Sequence, residues 1–279
     1  MKTLFRRAMR QWKHHKRPFF FFCGACVLLG ALVLSAALRT EQLPAGCSVN
    51  DFLPDDVLPT AAPAGSETGP DEEKVVYLTF DDGPSENTLK VLDILKQYQV
   101  PASFFVIAAD NNRDDLPILA RTAAEGHCIA LHSCTHEYKT IYDSPEQFWH
   151  DIDQLKEAIA PYVSPIPTIL RFPGGSTNTV SRKYGGSDIM KLLKTQAVQK
   201  GYTYVDWNVS ADDSLGGKVS ADDVYDNIVR DAAEHNTCVV LMHDTKVTDS
   251  TVEALPRVIE WFQNAGYRFD TVNHLPSNS

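Results

Sequence analysis

The run VVYLTFDDGPSENTLKVLDILKQYQVPASFFVI, Val75 to Ile107, holds two short apolar, β-branched runs with a helix-like stretch between them. Val75–Phe80 and Ala102–Ile107 read as strands, and the unit recurs along the chain. Further runs stand at Cys128–His132, Thr168–Phe172, Thr203–Val209, Cys238–His243 and, more weakly, Arg268–Val272. Six helix-like stretches separate these seven. Three of them end in glycine directly before the next run, in AEGH, QKGY and NAGY, the place of the residue just past a helix C-terminus. The last, TVEALPRVIEWFQNAG, sets Val252, Leu255, Val258, Ile259 and Phe262 on one helical face. Seven strands alternating with six helices predict parallel pairing through right-handed crossovers, as a barrel or an open α/β sheet.

A chain of 279 residues that is 43% hydrophobic and 22% charged predicts a sizeable core. Its net charge of −10 is unevenly spread. Residues 1–39 carry Lys2, Arg6, Arg7, Arg10, Lys13, Lys16, Arg17 and Arg39 and no acid, which leaves 18 of the 26 bases against all 36 acids. So acidic a body argues against nucleic acid as a partner, since phosphates need a basic face. Phe19–Leu38, FFFFCGACVLLGALVLSAAL, runs twenty residues without a charge. As a helix rising ~1.5 Å per residue it spans ~30 Å, the thickness of a bilayer's hydrocarbon core. The bases before it predict a cytoplasmic N-terminus, with the rest of the chain outside the cell membrane. A cleaved signal peptide ending near Ser35-Ala36-Ala37 is the alternative, giving a secreted protein. Gln42–Asp71, rich in Pro, Ala, Gly, Ser and acids, reads as a flexible spacer. The expected layout is a basic tail at 1–18, an anchor at 19–38, a linker at 39–73, a folded domain at 74–272 and a tail at 273–279. The six cysteines form no dense disulfide framework and no function is assigned to them.

Chemistry-bearing residues fall where the strands stop. Asp81 and Asp82 follow the first, His132 ends the third, and Arg171 ends the fourth. Trp207 lies in the fifth with Asp212 and Asp213 just beyond, and His243-Asp244 ends the sixth. In an α/β barrel the C-terminal strand ends form one face, so residues distant in sequence converge there. Alone, DDGP is a good turn and HD a solvated pair; the joint placement is what points to a site.

The segment HSCTH raises a geometric condition. Histidines four apart in a strand stand ~13 Å from each other at ~3.3 Å per residue, too far to share an ion bound at ~2.0–2.1 Å. A shared metal therefore requires the chain to leave the strand at His132 and curl. Two histidines and one carboxylate from another strand end then make an open catalytic site with room for water. One acid and one imidazole are left over, which is equipment for metal-assisted hydrolysis.

TFDDGP, HSCTH, RFPGG, the DWNVSADD region and LMHD, in this order, resemble the five motifs of the NodB-type polysaccharide deacetylases, the fourth carbohydrate esterase family. The resemblance covers roughly Lys74 to Val272 and implies a distorted (β/α)7 barrel. It implies that Asp82, His132 and His136 hold a divalent metal, zinc above all, with cobalt, nickel or manganese as alternatives. It makes Asp81 the general base, His243 the general acid, and Arg171 the group that keeps Asp81 ionised. It places a backbone N–H that helps bind the oxyanion within the stretch Phe172, Pro173 and Gly174, and an acetyl pocket between Trp207 and Leu241. Ser133 would brace the histidine loop. The carboxylate supporting His243 would be Asp213, Asp212 or Asp206, in that order. Two motifs depart from the family pattern. RFPGG replaces Arg-Pro-Pro-aromatic, so an aromatic wall is missing or shifted, and Ser214 stands where motif four usually has Trp.

The implied activity is removal of N-acetyl groups from cell-surface glycan, peptidoglycan GlcNAc or MurNAc first, giving a free amine and acetate. Chitin-type oligomers, poly-N-acetylglucosamine and acetylxylan are rival substrates. An inactive glycan-binding module is a rival function, against which motifs one, two and five stand intact. A metallo-phosphoesterase would favour more carboxylates and often a second metal. The partners expected are an N-acetylated wall glycan and the membrane; no protein partner is evident.

Overall fold

Strand β1, Val75–Asp81, is buried along its whole length, and its two faces belong to different cores. Val76, Leu78 and Phe80 pack outward into the main hydrophobic cluster. Val75 and Tyr77 point the other way, into a smaller cluster with Phe105, Ala130, Val205 and Val239. The structure is a computed structural model and describes residues 73–214 and 219–276.

The elements follow in the alternating order expected. After β1 come α1 (Glu86–Tyr98), β2 (Ser103–Ile107), α2 (Ile118–Ala124), β3 (Cys128–Ser133), α3 (Tyr138–Ile141) and α4 (Pro145–Ile159). Then come β4 (Ile169–Leu170), α5 (Arg182–Gly185), α6 (Ile189–Gln199), β5 (Thr203–Tyr204) and β6 (Val209–Ser210). The series closes with α7 (Ala221–Ala232), β7 (Thr237–His243), α8 (Asp249–Asn264) and β8 (Arg268–Asp270). The six longer helices are those read from the sequence, and α3 and α5 are single turns between them. Gly126, Gly201 and Gly266 each follow a helix at positive φ (86°, 79°, 80°). In each case the next N–H reaches back five residues, His127 to Thr122, Tyr202 to Ala197 and Tyr267 to Phe262, closing the helix end.

All ladders are parallel, and the sheet runs β5-β4-β3-β2-β1-β7-β6. One edge of β1 is shared. β2 pairs with its C-terminal end, Thr79–Asp81, and β8 with its N-terminal end, Val75–Tyr77. The curled sheet fits a distorted (β/α)7 barrel that stays open between β5 and β6. There the expected single strand Thr203–Val209 is corrected to two short ones. Val205 N–H still donates to Leu170 O, but the carbonyls of Val205 and Asp206 accept from the Arg171 guanidinium at 3.0 and 3.1 Å, and the strand stops there. Asn208 then rejoins at β7, donating to Val239 O and Thr237 O. Trp207 thus lies in this crossing segment, not within a strand.

The helices cover the outer face. On α1, Val91, Leu92 and Leu95 are fully buried, and on α8, Leu255, Val258, Ile259 and Phe262. Each such side chain contributes about 1.5–3 kcal/mol relative to exposure. No helix among the described residues is long and apolar enough to cross a membrane. The expected anchor at 19–38, the basic tail and nearly all of the linker lie outside the described residues.

Candidate active site

The alternation that buries the strands also aims the site. The inward series Val75, Tyr77, Thr79 on β1 ends at Asp81; Val239, Leu241 on β7 at His243; Cys128, Ala130 on β3 at His132. Asp81 and His243 are direct register partners. One carboxyl and two imidazoles therefore meet at the C-terminal mouth of the barrel.

Asp82, the next residue, takes φ 68° and turns its side chain to both His132 and His136. Its Oδ1 lies 3.5 Å from His132 Nε2 and 3.4 Å from His136 Nε2. Two donors each ~2.05 Å from one tetrahedral ion stand about 3.3–3.4 Å apart. One ligand atom from each of the three side chains lies within 4.8 Å of the others. Asp82 Oδ1 is buried and meets no hydrogen-bond donor among the described residues. His132 Nδ1 is engaged by the Arg171 carbonyl at 2.8 Å, so that nitrogen carries the proton and Nε2 presents its lone pair. Burial pushes the His132 imidazole down to about 3, against the raising charge of Asp82, so it stays neutral. A carboxylate oxygen without a donor and two nitrogens at ion-sharing distances fit a divalent cation.

The curl required of HSCTH exists, and its cause lies elsewhere in the chain. β3 ends at Ser133, and His136 takes φ 55°. Asp151, buried on α4, accepts from Ser133 Oγ (2.7 Å), Cys134 N (2.7 Å), Thr135 N (2.9 Å) and Thr135 Oγ1 (2.8 Å). Ser133 Oγ in turn accepts the His136 N–H at 2.8 Å. One carboxylate thus folds the loop that brings the two imidazole rings to 5.2 Å. The sequence reading missed Asp151. The signal was its place on the apolar stripe of α4 with Phe148, Ile152 and Leu155, all buried.

Arg171 lies fully buried beneath the site. Its Nη1 donates to Asp81 Oδ1 at 2.7 Å and to Thr79 Oγ1 at 2.8 Å, and its guanidinium lies 4.0 Å from the centroid of the Phe105 ring. A buried guanidinium requires such a counter-charge. Asp81 Oδ2 remains, 3.9 Å from His132 Nε2. Burial raises the Asp81 carboxyl despite Arg171 and His243, so in the metal-free chain Arg171 opposes its protonation without overcoming desolvation.

Of the three aspartates considered for His243, Asp213 is the partner. Its Oδ1 meets His243 Nδ1 at 2.7 Å, while its Oδ2 accepts from His243 N (2.8 Å) and Thr251 Oγ1 (2.6 Å). Asp212 accepts from Ser210 Oγ instead, and Asp206 holds Ser176 through its N–H and hydroxyl. Burial works against the His243 proton, but the bond to Asp213 and the charges of Asp213, Asp81 and Asp82 outweigh it and raise the imidazole to about 9. Asp244 packs beneath Gly83, where a methyl group would overlap its carboxylate. Its carboxyl is pushed up to about 7, chiefly by burial.

Asp81, Asp82, His132, His136, Asp213 and His243 open on a cavity of about 570 Å³ that Gly174, Trp207 and Leu241 also line. Phe172 and Pro173 do not reach it. Phe172 is fully buried against Phe148 and Tyr204, and Pro173 is buried with its carbonyl bonded to Tyr142 Oη at 2.7 Å. Gly174 and Gly175, at φ 78° and 84°, turn the chain so that only Gly174 faces the cavity. The space above Gly174 is taken by Tyr138, which the sequence reading also passed over. Burial, with the charges of Asp82 and Asp81, pushes its phenol up to about 12.

A family model described as polysaccharide deacetylase matches residues 68–191. A peptidoglycan-N-acetylglucosamine deacetylase of Bacillus cereus is 30% identical over 217 residues, 74% of this chain and 73% of that protein. A peptidoglycan-N-acetylmuramic acid deacetylase of Bacillus subtilis is 29% identical over 269 residues, 91% of this chain and 93% of that protein. Among solved structures, the catalytic domain of a peptidoglycan N-acetylglucosamine deacetylase from Eubacterium rectale superposes with a TM-score of 0.69 at 37% identity. That match covers 76% of this chain and 94% of the other.

Proposed function

The chain belongs to the polysaccharide deacetylase family, and on that premise we propose that it is a metal-dependent hydrolase of N-acetyl groups on peptidoglycan, acting on GlcNAc or MurNAc. The observation that carries the reading is the meeting of the Asp82, His132 and His136 donors with Asp81 on one side and the Asp213-held His243 on the other. The names of the Bacillus relatives favour a wall glycan and span both sugars.

A divalent cation, zinc in the first place, held by Asp82, His132 and His136 would supply Lewis acidity, acidifying a water and polarising the acetyl carbonyl. Asp81, with Oδ1 fixed by Arg171, takes the proton of the attacking water on Oδ2. The new C–O bond forms at the acetyl carbon, and the carbonyl oxygen gains negative charge. The Gly174 N–H, which donates to no group among the described residues, lies free at the cavity to receive that oxygen. His243, its Nδ1 engaged by Asp213, then gives a proton from Nε2 to the nitrogen as the C–N bond breaks. Acetate and the sugar amine leave. The acetyl methyl is received by Trp207 and Leu241.

Residues 19–38 are proposed as a membrane anchor and 39–73 as a spacer, which together would hold the domain beside the wall. The test is acetate release by the full chain from peptidoglycan, chitooligosaccharides and acetylxylan, after chelation and again after zinc is restored. Zinc-dependent release from peptidoglycan is expected. Tight binding without release would move the reading to a glycan-binding module, and release from chitooligosaccharides or xylan alone would replace the substrate.

A further inference from the structure

We propose that Tyr138 is a catalytic residue, its phenol O–H donating a hydrogen bond to the acetyl oxygen as negative charge gathers there; the assignment rests on the deacetylase reading above. Tyr138 opens α3, two residues past His136, and lines the same cavity as Asp81, His132 and His243. Its ring is fixed from two sides. It stands edge-on to His136 at 5.5 Å and to Tyr142 at 5.6 Å, and Tyr142 is itself tied to Pro173 O.

The hydroxyl of this ring lies directly against Gly174. A methyl group at Gly174 would stand 2.8 Å from Tyr138 Oη, so only glycine lets the backbone and the phenol approach so closely. Several polar side chains around the site are already engaged: Arg171 on Asp81, Ser133 on Asp151, Ser176 on Asp206 and Thr251 on Asp213. The Tyr138 hydroxyl forms no hydrogen bond among the described residues, and neither does the Gly174 N–H. Two unused donors, one O–H and one N–H, therefore flank one spot on the cavity wall. The substrate's acetyl oxygen is an acceptor that becomes anionic during reaction, and a preorganised donor is most effective against developing charge. The phenol keeps its proton throughout. The proton that reaches the nitrogen still comes from His243.

The alternative is that the ring only walls the pocket, and the conservative substitution separates the two. In the zinc-loaded full chain, Tyr138→Phe should lower kcat about 10²-fold, the usual cost of one such donor, with KM within about twofold. Bound zinc and the melting temperature should not change. A Tyr138→Phe variant with wild-type kcat, beside a Tyr138→Ala variant that loses activity, would reduce the residue to a wall and overturn the proposal. Loss of zinc or of thermal stability in Tyr138→Phe would overturn it too, by making the role structural. If the wild-type chain deacetylates no glycan, the substrate reading fails separately. Hydrolysis of 4-nitrophenyl acetate, which needs the acetyl site but no sugar groove, then carries the comparison. The same Phe deficit there supports the donor, and equal rates sink it.

Discussion

Asp81 and Asp82 are neighbours in sequence with different surroundings. Asp81 continues the inward face of β1 onto Arg171, whereas Asp82, in the left-handed region, faces His132 and His136. If Asp81 is the base and Asp82 a ligand, their substitutions must part company. Asp81→Asn should lower kcat by ~10²–10⁴ with zinc still bound. Asp82→Ala should lose zinc and turnover together, and equal zinc loss in both would reverse the division. His243 gives a second test, in pH. A proton donor works only while protonated, so its contribution is full below its folded pKa and is lost as pH rises through it. That pKa lies at about 9 because Asp213, with Asp81 and Asp82, outweighs burial. A cation at Asp82 would lower the alkaline limb in wild type and variant alike, leaving the difference between them in the same direction. Asp213→Asn removes the strongest raising influence, so the alkaline limb of kcat/KM should move to lower pH by about a unit or more. A limb that stays in place would remove His243 from the donor's role.

At the scale of elements, strands supply the reacting groups and helix α4 supplies the precision. The inward series of β1, β3 and β7 were legible because period-two alternation fixes which side of a strand a residue takes. Asp151 was not, since one aspartate near Asp153 reads as solvated surface; helical spacing puts only Asp151 with Phe148, Ile152 and Leu155. Its two oxygens accept four hydrogen bonds from residues 133–135, and an amide can accept at only one of them. Asp151→Asn should therefore weaken zinc binding about 10–100-fold, the usual effect of losing a support behind a ligand. A zinc titration with wild-type affinity would show that the loop holds its shape without Asp151.

For the whole molecule, the three proposed ligands come from two strand ends and one loop, so an ion bound by them is tied to the folded state alone. Free zinc at 100 times its Kd should stabilise the chain by about 2.7 kcal/mol. A melting temperature that rises with zinc in the wild type and stays flat in Asp82→Ala is the expected pattern; a flat wild type would remove the site. The proposed anchor makes a separate claim. The full chain should sediment with membranes and a chain lacking residues 1–38 should not; a soluble full chain would favour cleavage near Ala37. By itself the sequence determined the alternating parallel architecture, the helix-ending glycines and the polar residues at the strand mouths, because these follow from local period and local backbone preference. Only the tertiary structure decided that Asp213, thirty residues before His243, is its partner, that Phe172 belongs to the core, and that Asp151 and Tyr138 belong to the site. Those pairings depend on register between distant strands and on the paths of irregular loops, which no local periodicity encodes.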